Sequence, residues 1–90
     1  MNRETTDFKD IKDLIKNTIV DAHVEIHDMT GTKDHLDILV ISQEFEGKML
    51  FKQHRMIMDI LTDRLKTDIH AVQLKTYTYN QAREKGVYHD

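Results

Sequence analysis

Phe45-Glu46-Gly47-Lys48-Met49-Leu50-Phe51-Lys52-Gln53-His54-Arg55-Met56-Ile57, followed further on by Ile69-His70-Ala71-Val72, is the stretch whose reading decides the fold. It holds a glycine turn, the longest helix the sequence can make, and a strand that returns after it. Lys48 to about Lys66 reads as the helix, about 27 Å long at 1.5 Å per residue. Leu50, His54, Ile57, Met58, Leu61 and Leu65 fall within a ~100° sector of it, with Lys48, Lys52, Arg55, Asp59 and Lys66 opposite. Ile69 to Tyr77 reads as the returning strand, with His70, Val72 and Leu74 on one face.

Upstream residues supply the sheet for this strand. Val24 and Ile26 alternate with His23, Glu25 and His27, which predicts a half-buried strand over 22–28. His35 to Ser42 is a second strand. Leu36, Ile38 and Val40 face the core, and Leu39 and Ile41 make its other side apolar too, so it belongs at the centre. The short polar loop around Gly31 joins the two as a hairpin. Before them, Phe8, Ile11, Leu14 and Ile15 recur at helical spacing, giving a first helix over about 7–18 with Asp7 as its cap. Ser42 to Gly47 is a turn with room for one turn of helix. Thr78-Tyr79-Asn80-Gln81 is a capping-box pattern opening a last helix of about 79–85, which ends at Gly86. The order is α-β-β-α-β-α. It implies an α+β domain: a three-stranded sheet with helices on one face.

Ninety residues make a single domain, 1–90, with 1–6 and 87–90 expected to be flexible. The chain has no cysteine, so it can form no disulfide and offer no thiolate as nucleophile or metal ligand. Its net charge of −3, from 13 basic and 16 acidic residues, is not the basic excess of a general nucleic-acid binder. No apolar run approaches the ~20 residues of a membrane span, and the polar N-terminus is not a signal peptide. The expectation is a soluble, cytoplasmic protein. No nucleophile motif, phosphate-binding loop or paired-carboxylate site stands out, so the expectation is also that it is not an enzyme.

The six histidines carry what chemistry there is. His23 and His27 have HxxxH spacing, but on a strand four residues span ~13 Å, too far for one ion with ~2 Å bonds. His27 and His35 bracket the hairpin loop, where closure can bring them near each other or leave both exposed. His54 lies in the apolar sector of the long helix and reads as a structural core histidine, its ring nitrogens bonded to backbone or carboxylate. His70 opens the third strand, where one ring nitrogen can face out. Lys48, Lys52 and Arg55 form a basic edge after Gly47, interrupted by Asp59 and Asp63.

Phe45-Glu46-Gly47-Lys48, Gln53-His54-Arg55-Met56, Ile69-His70-Ala71-Val72 and Lys75-Thr76-Tyr77-Thr78 together resemble the signature of the BolA family. In that family an F-x-G turn precedes an R-H-R helix, an I/V-H-A-L strand and a T-x-T-P helix start. The resemblance runs from about residue 10 to 84. It departs at Gln53 for the first arginine, Tyr79 for the proline and Ala82 for a common tryptophan.

The resemblance implies a class II KH-like fold and a monothiol glutaredoxin as partner. The heterodimer would share a [2Fe-2S] cluster with glutathione, in cluster trafficking or in iron or redox sensing. The family's C-terminal histidine ligand maps onto His70. The second ligand, a Cys or His in the hairpin loop, maps onto His35 or, as the alternative, His27. No cofactor would be needed for folding, and the chain alone would be a monomer or weak homodimer. Members of the family are also described as DNA-binding transcriptional regulators of stress response and cell morphology. That reading would use Lys48, Lys52 and Arg55.

Overall fold

The computed structural model describes residues 8–89. The elements run α1 (Lys9–Thr18), β1 (His23–Asp28), β2 (His35–Ile41), a 3-10 turn (Gln43–Phe45), α2 (Leu50–Ile60), α3 (Thr62–Thr67), β3 (Ala71–Tyr77) and α4 (Tyr79–Glu84). The sheet order is β1-β2-β3. β1 and β2 are antiparallel, with Val24 opposite Val40 and Ile26 opposite Ile38. β2 and β3 are parallel, with Leu36 opposite Val72 and Ile38 opposite Leu74. The strand that is apolar on both faces is therefore the central one, as its pattern predicts.

Alternation decides what each face does. Val24, Ile26, Leu36, Ile38 and Val40 are buried with Ile11 and Ile15 of α1, Ile57 of α2 and Leu61. Burying each such side chain contributes roughly 1.5–3 kcal/mol. The residues between them, His23, Glu25, His27, Asp37 and Leu39, lie on the opposite face. There the segment after α4 returns: Tyr88 sets its ring 5.3 Å from that of His23 and 5.1 Å from that of Tyr79. The Asp7 cap and the expected fraying of residues 1–6 fall outside the described residues. Thr78 caps α4 through the capping box its sequence predicts.

The long helix departs from expectation at both ends. It starts at Leu50, because Met49 is still extended (φ −65°, ψ 152°). It breaks at Leu61 (φ −94°, ψ 6°), where α3 begins. The Thr62 hydroxyl donates to the Met58 carbonyl at 3.1 Å, a side-chain bond to residue i−4 of the kind that bends helices. Arg64 then fixes the second piece, bonding Asp68 at 2.6–3.1 Å and reaching Asp10 of α1 at 2.7 Å.

The buried face of α2 is also rotated from the expected one. Leu50 is exposed, whereas Gln53, 6% exposed, lies inward with Ile57 and Leu61. The Gln53 amide donates to the carbonyls of Lys48 (2.9 Å) and Phe45 (3.3 Å), and its oxygen accepts from the Thr76 hydroxyl of β3 (2.6 Å). A single side chain thus ties the Gly47 turn to the sheet. The third strand begins two residues later than expected. Ile69 is buried, and its N–H bonds the Arg64 carbonyl at 2.9 Å to end α3. His70 then lies at the mouth of β3, outside its alternation.

Candidate metal-ligand site at the mouth of β2 and β3

The hairpin loop is shaped by two aspartates. Asp28 accepts from the backbone N–H groups of Thr30 (3.2 Å), Gly31 (2.8 Å) and Lys33 (2.9 Å). These bonds hold Lys33 at φ 65°, a left-handed conformation that costs a non-glycine residue roughly 1–2 kcal/mol. Asp34 closes the loop. Its carbonyl accepts from the N–H groups of His70 (2.7 Å) and Ala71 (3.1 Å). The backbone therefore sets His35, the first residue of β2, beside His70, the residue before β3.

Their rings stack, with centroids 6.0 Å apart and planes 6° from parallel. Both address one carboxylate: His35 Nδ1 lies 2.9 Å from Asp34 Oδ1, and His70 Nδ1 lies 3.1 Å from Asp34 Oδ2. The Thr32 hydroxyl also donates to Asp34 Oδ1. Those bonds, Thr32's first and His35's next, hold the Asp34 carboxyl down at about 2. An ionised carboxylate only accepts, so His35 Nδ1 is the donor in its hydrogen bond to Oδ1, while His70 Nδ1 sits beside Oδ2 as a charge contact. Among the described residues, neither Nε2 has a hydrogen-bond partner. The side chain of His70 is 71% exposed, that of His35 42% and that of Asp34 24%.

A carboxylate on one ring nitrogen that leaves the other free is the usual setting of a metal-binding histidine. Among the described residues, no group of three or more His, Asp or Glu side chains is placed to hold an ion. The pair is therefore a partial donor set. Two nitrogens on one ion with ~2 Å bonds lie ~3.3 Å apart, so rings with 6.0 Å between centroids must lean together to share one. His70, the more exposed, has room to do so.

The other histidines stand elsewhere. His27 is exposed on the open face of the sheet, opposite Asp37, where it lines a cleft of about 290 Å³ with Glu25, Lys75 and Tyr77. No hydrogen bond or ring contact joins it to His35 or His70 among the described residues. His23 Nε2 is 2.9 Å from Glu25. His54 reads from the sequence as a core histidine with bonded ring nitrogens; the buried polar contacts of this helix are made by Gln53. His54 is half-buried beside the buried face, and its Nε2 is buried without a hydrogen-bond partner among the described residues.

The expected basic edge forms a shallow groove lined by Lys48, Phe51, Lys52, Arg55, Met56 and Asp59. Lys48 Nζ donates to the Glu44 carbonyl at 2.8 Å, and Lys48, Lys52 and Arg55 are all exposed. Phe51 is 56% exposed between them.

The sequence profile of the family described as "BolA-like protein" matches residues 9–81. The chain belongs to the BolA family. It is 35% identical over 78 residues to human BolA-like protein 2, a match spanning 83% of this chain and 90% of that protein. It is 32% identical over 63 residues to the Escherichia coli DNA-binding transcriptional regulator BolA, covering 70% of this chain but only 60% of that longer relative. The solved BolA domain of SufE1 from Arabidopsis thaliana superposes with a TM-score of 0.74 at 27% identity, over 81% of this chain and 92% of that one.

Two residues of this BolA-like domain escaped the sequence reading. Asp34 had a local signal, a carboxylate directly before His35 in a closing loop. Gln53 was visible as a departure from the family's arginine, but its burial was not. The positions 53, 57, 60 and 61 make an i, i+4, i+7, i+8 stripe only once a glutamine is admitted to the buried face.

Proposed function

We propose that the chain is an iron–sulfur adaptor. It forms a heterodimer with a monothiol glutaredoxin and shares a [2Fe-2S] cluster with that partner and glutathione, through Nε2 of His70 and Nε2 of His35. The observation that carries this reading is the pair of exposed imidazoles on one carboxylate, each with an unengaged Nε2. The donor set suits the group. Two neutral nitrogens supply part of a coordination sphere, and a chain without cysteine leaves the thiolates to its partners. His35 is favoured over His27 because only His35 lies against His70.

When bound, such a cluster supplies a one-electron redox centre, and imidazole in place of thiolate raises its potential. The chain's own residues do three things. The loop carbonyl of Asp34 aligns the mouths of β2 and β3, its carboxylate engages Nδ1, and the exposure of His70 admits a partner. No catalytic step is assigned to it. The test mixes the chain with a monothiol glutaredoxin, iron, sulfide and glutathione and follows the visible absorption and circular dichroism. His70→Ala and His35→Ala should each change the cluster spectrum, and His27→Ala should not. An unchanged spectrum in His70→Ala sinks the ligand assignment.

A second reading, DNA binding, is favoured by the groove beside Gly47, where Lys52 and Arg55 flank an exposed aromatic ring. It is also in keeping with the name of the Escherichia coli relative. It predicts salt-dependent affinity for duplex DNA that falls on Lys52→Ala or Arg55→Ala, each lowering the salt slope by about 1. No binding at low salt eliminates it.

A further inference from the structure

The two candidate ligands are not independent. His35 reaches the site from the start of β2 and His70 from the residue before β3, yet both rings end on the two oxygens of one side chain. The same residue's carbonyl binds the N–H groups of His70 and Ala71, which keeps its backbone, and so the root of its carboxylate, beside both rings. The Thr32 hydroxyl on Oδ1 fixes the carboxylate plane from the loop side. A carboxylate can accept on both oxygens at once. An asparagine has only one oxygen, and its other terminal group donates.

From this arrangement we propose that Asp34 is the positioning residue of the site, a single carboxylate that sets both His35 and His70 in the Nδ1–H tautomer and presents both Nε2 lone pairs outward. The proposal rests on the adaptor reading for what the two nitrogens then bind, but the tautomers exist without any metal. It makes the two ligands a coupled unit, so that one substitution at a residue touching no metal disturbs both.

The test begins with the metal-free chain. Long-range ¹H–¹⁵N spectra of the histidine rings at pH 8 should show Nδ1–H and unprotonated Nε2 for both His35 and His70. In Asp34→Asn, with the backbone amide spectrum confirming the fold, both rings should move toward the Nε2–H form together. His27→Ala, at a histidine that does not touch the carboxylate, should leave both tautomers as in the parent chain. The proposal is overturned if the parent rings are Nε2–H, if Asp34→Asn leaves both tautomers unchanged, or if His27→Ala alters them as much as Asp34→Asn does.

A second arm uses the glutaredoxin complex. There Asp34→Asn should weaken cluster retention about 10–100-fold, the usual cost of losing a carboxylate behind a metal-binding histidine. Retention equal to the parent's overturns the link to the cluster. If the parent chain itself assembles no cluster, the adaptor reading fails, while the tautomer arm still decides the role of Asp34.

Discussion

Two side chains knot this fold, and they use their hydrogen bonds in opposite ways. Gln53 is buried and joins three segments: the turn at Phe45, the turn at Lys48 and β3 at Thr76. Its partners end there, each polar group satisfied inside the protein. Asp34 is partly exposed and also joins segments, the hairpin loop, β2 and β3, but the groups it holds are histidines, each with a second nitrogen. Burial makes the first knot costly to break. Exposure makes the second cheap to break and leaves two lone pairs facing outward. In a small domain, this separates a polar cluster that holds the fold from one available for binding.

The largest expected effect lies at the buried knot. Gln53→Ala removes three hydrogen bonds and leaves the Lys48 carbonyl and the Thr76 hydroxyl without that partner, while the Phe45 carbonyl keeps the Lys48 N–H. We expect a loss of about 3 kcal/mol, read as a lower urea midpoint. A loss below about 1 kcal/mol would mean that water replaces the amide and that the knot is not what holds α2. Next comes the turn that Gln53 secures. Gly47 sits at φ +76° with nothing within 4 Å of an added Cβ, so Gly47→Ala should cost only the backbone term, about 1–2 kcal/mol.

The exposed knot should answer to acid instead. Asp34 is held at about 2 by Thr32 and His35, and Asp68 at about 2 chiefly by Arg64. Both lie below the unfolded carboxylate value of about 3.9. Their contribution to stability is therefore complete above that value and is lost as pH falls toward about 2. Asp34→Asn should narrow the difference between urea midpoints measured at pH 5 and pH 2 without abolishing it, because Asp68 remains. An unchanged difference would show that Asp34 is no better partnered in the folded chain than in the unfolded one. The smallest effect on stability is expected at His70 itself. His70→Ala, at a side chain 71% exposed, should shift stability by less than about 0.5 kcal/mol while changing the cluster spectrum. A large destabilisation would make its role structural and collapse the contrast between the two knots.

The sheet was legible because period-two alternation is unambiguous: Val24/Ile26 and Leu36/Ile38/Val40 could only point to a core. The capping box at Thr78–Gln81 was legible for the same reason, since its residues act locally. The long helix was legible as an element, but its face and continuity were not. Which way α2 turns depends on Gln53 finding carbonyls in the turn before it, and the break at Leu61 follows from tertiary packing and a threonine hydroxyl. The site was half legible. Family resemblance singled out His70 and left His35 and His27 both open. Only the parallel pairing of β2 with β3 sets His35 against His70, and a single strand's pattern does not encode its neighbour. Asp34 belonged to the same hidden class, since its role arises from one backbone carbonyl closing two strand mouths.

The central claim is that His35 and His70 face a metal together. The most direct test is pulsed electron paramagnetic resonance of the reduced cluster in the complex with a monothiol glutaredoxin and glutathione. The account predicts two strongly coupled imidazole nitrogens, one lost in His70→Ala, one lost in His35→Ala and neither lost in His27→Ala. A cluster that forms without any strongly coupled imidazole nitrogen would contradict it.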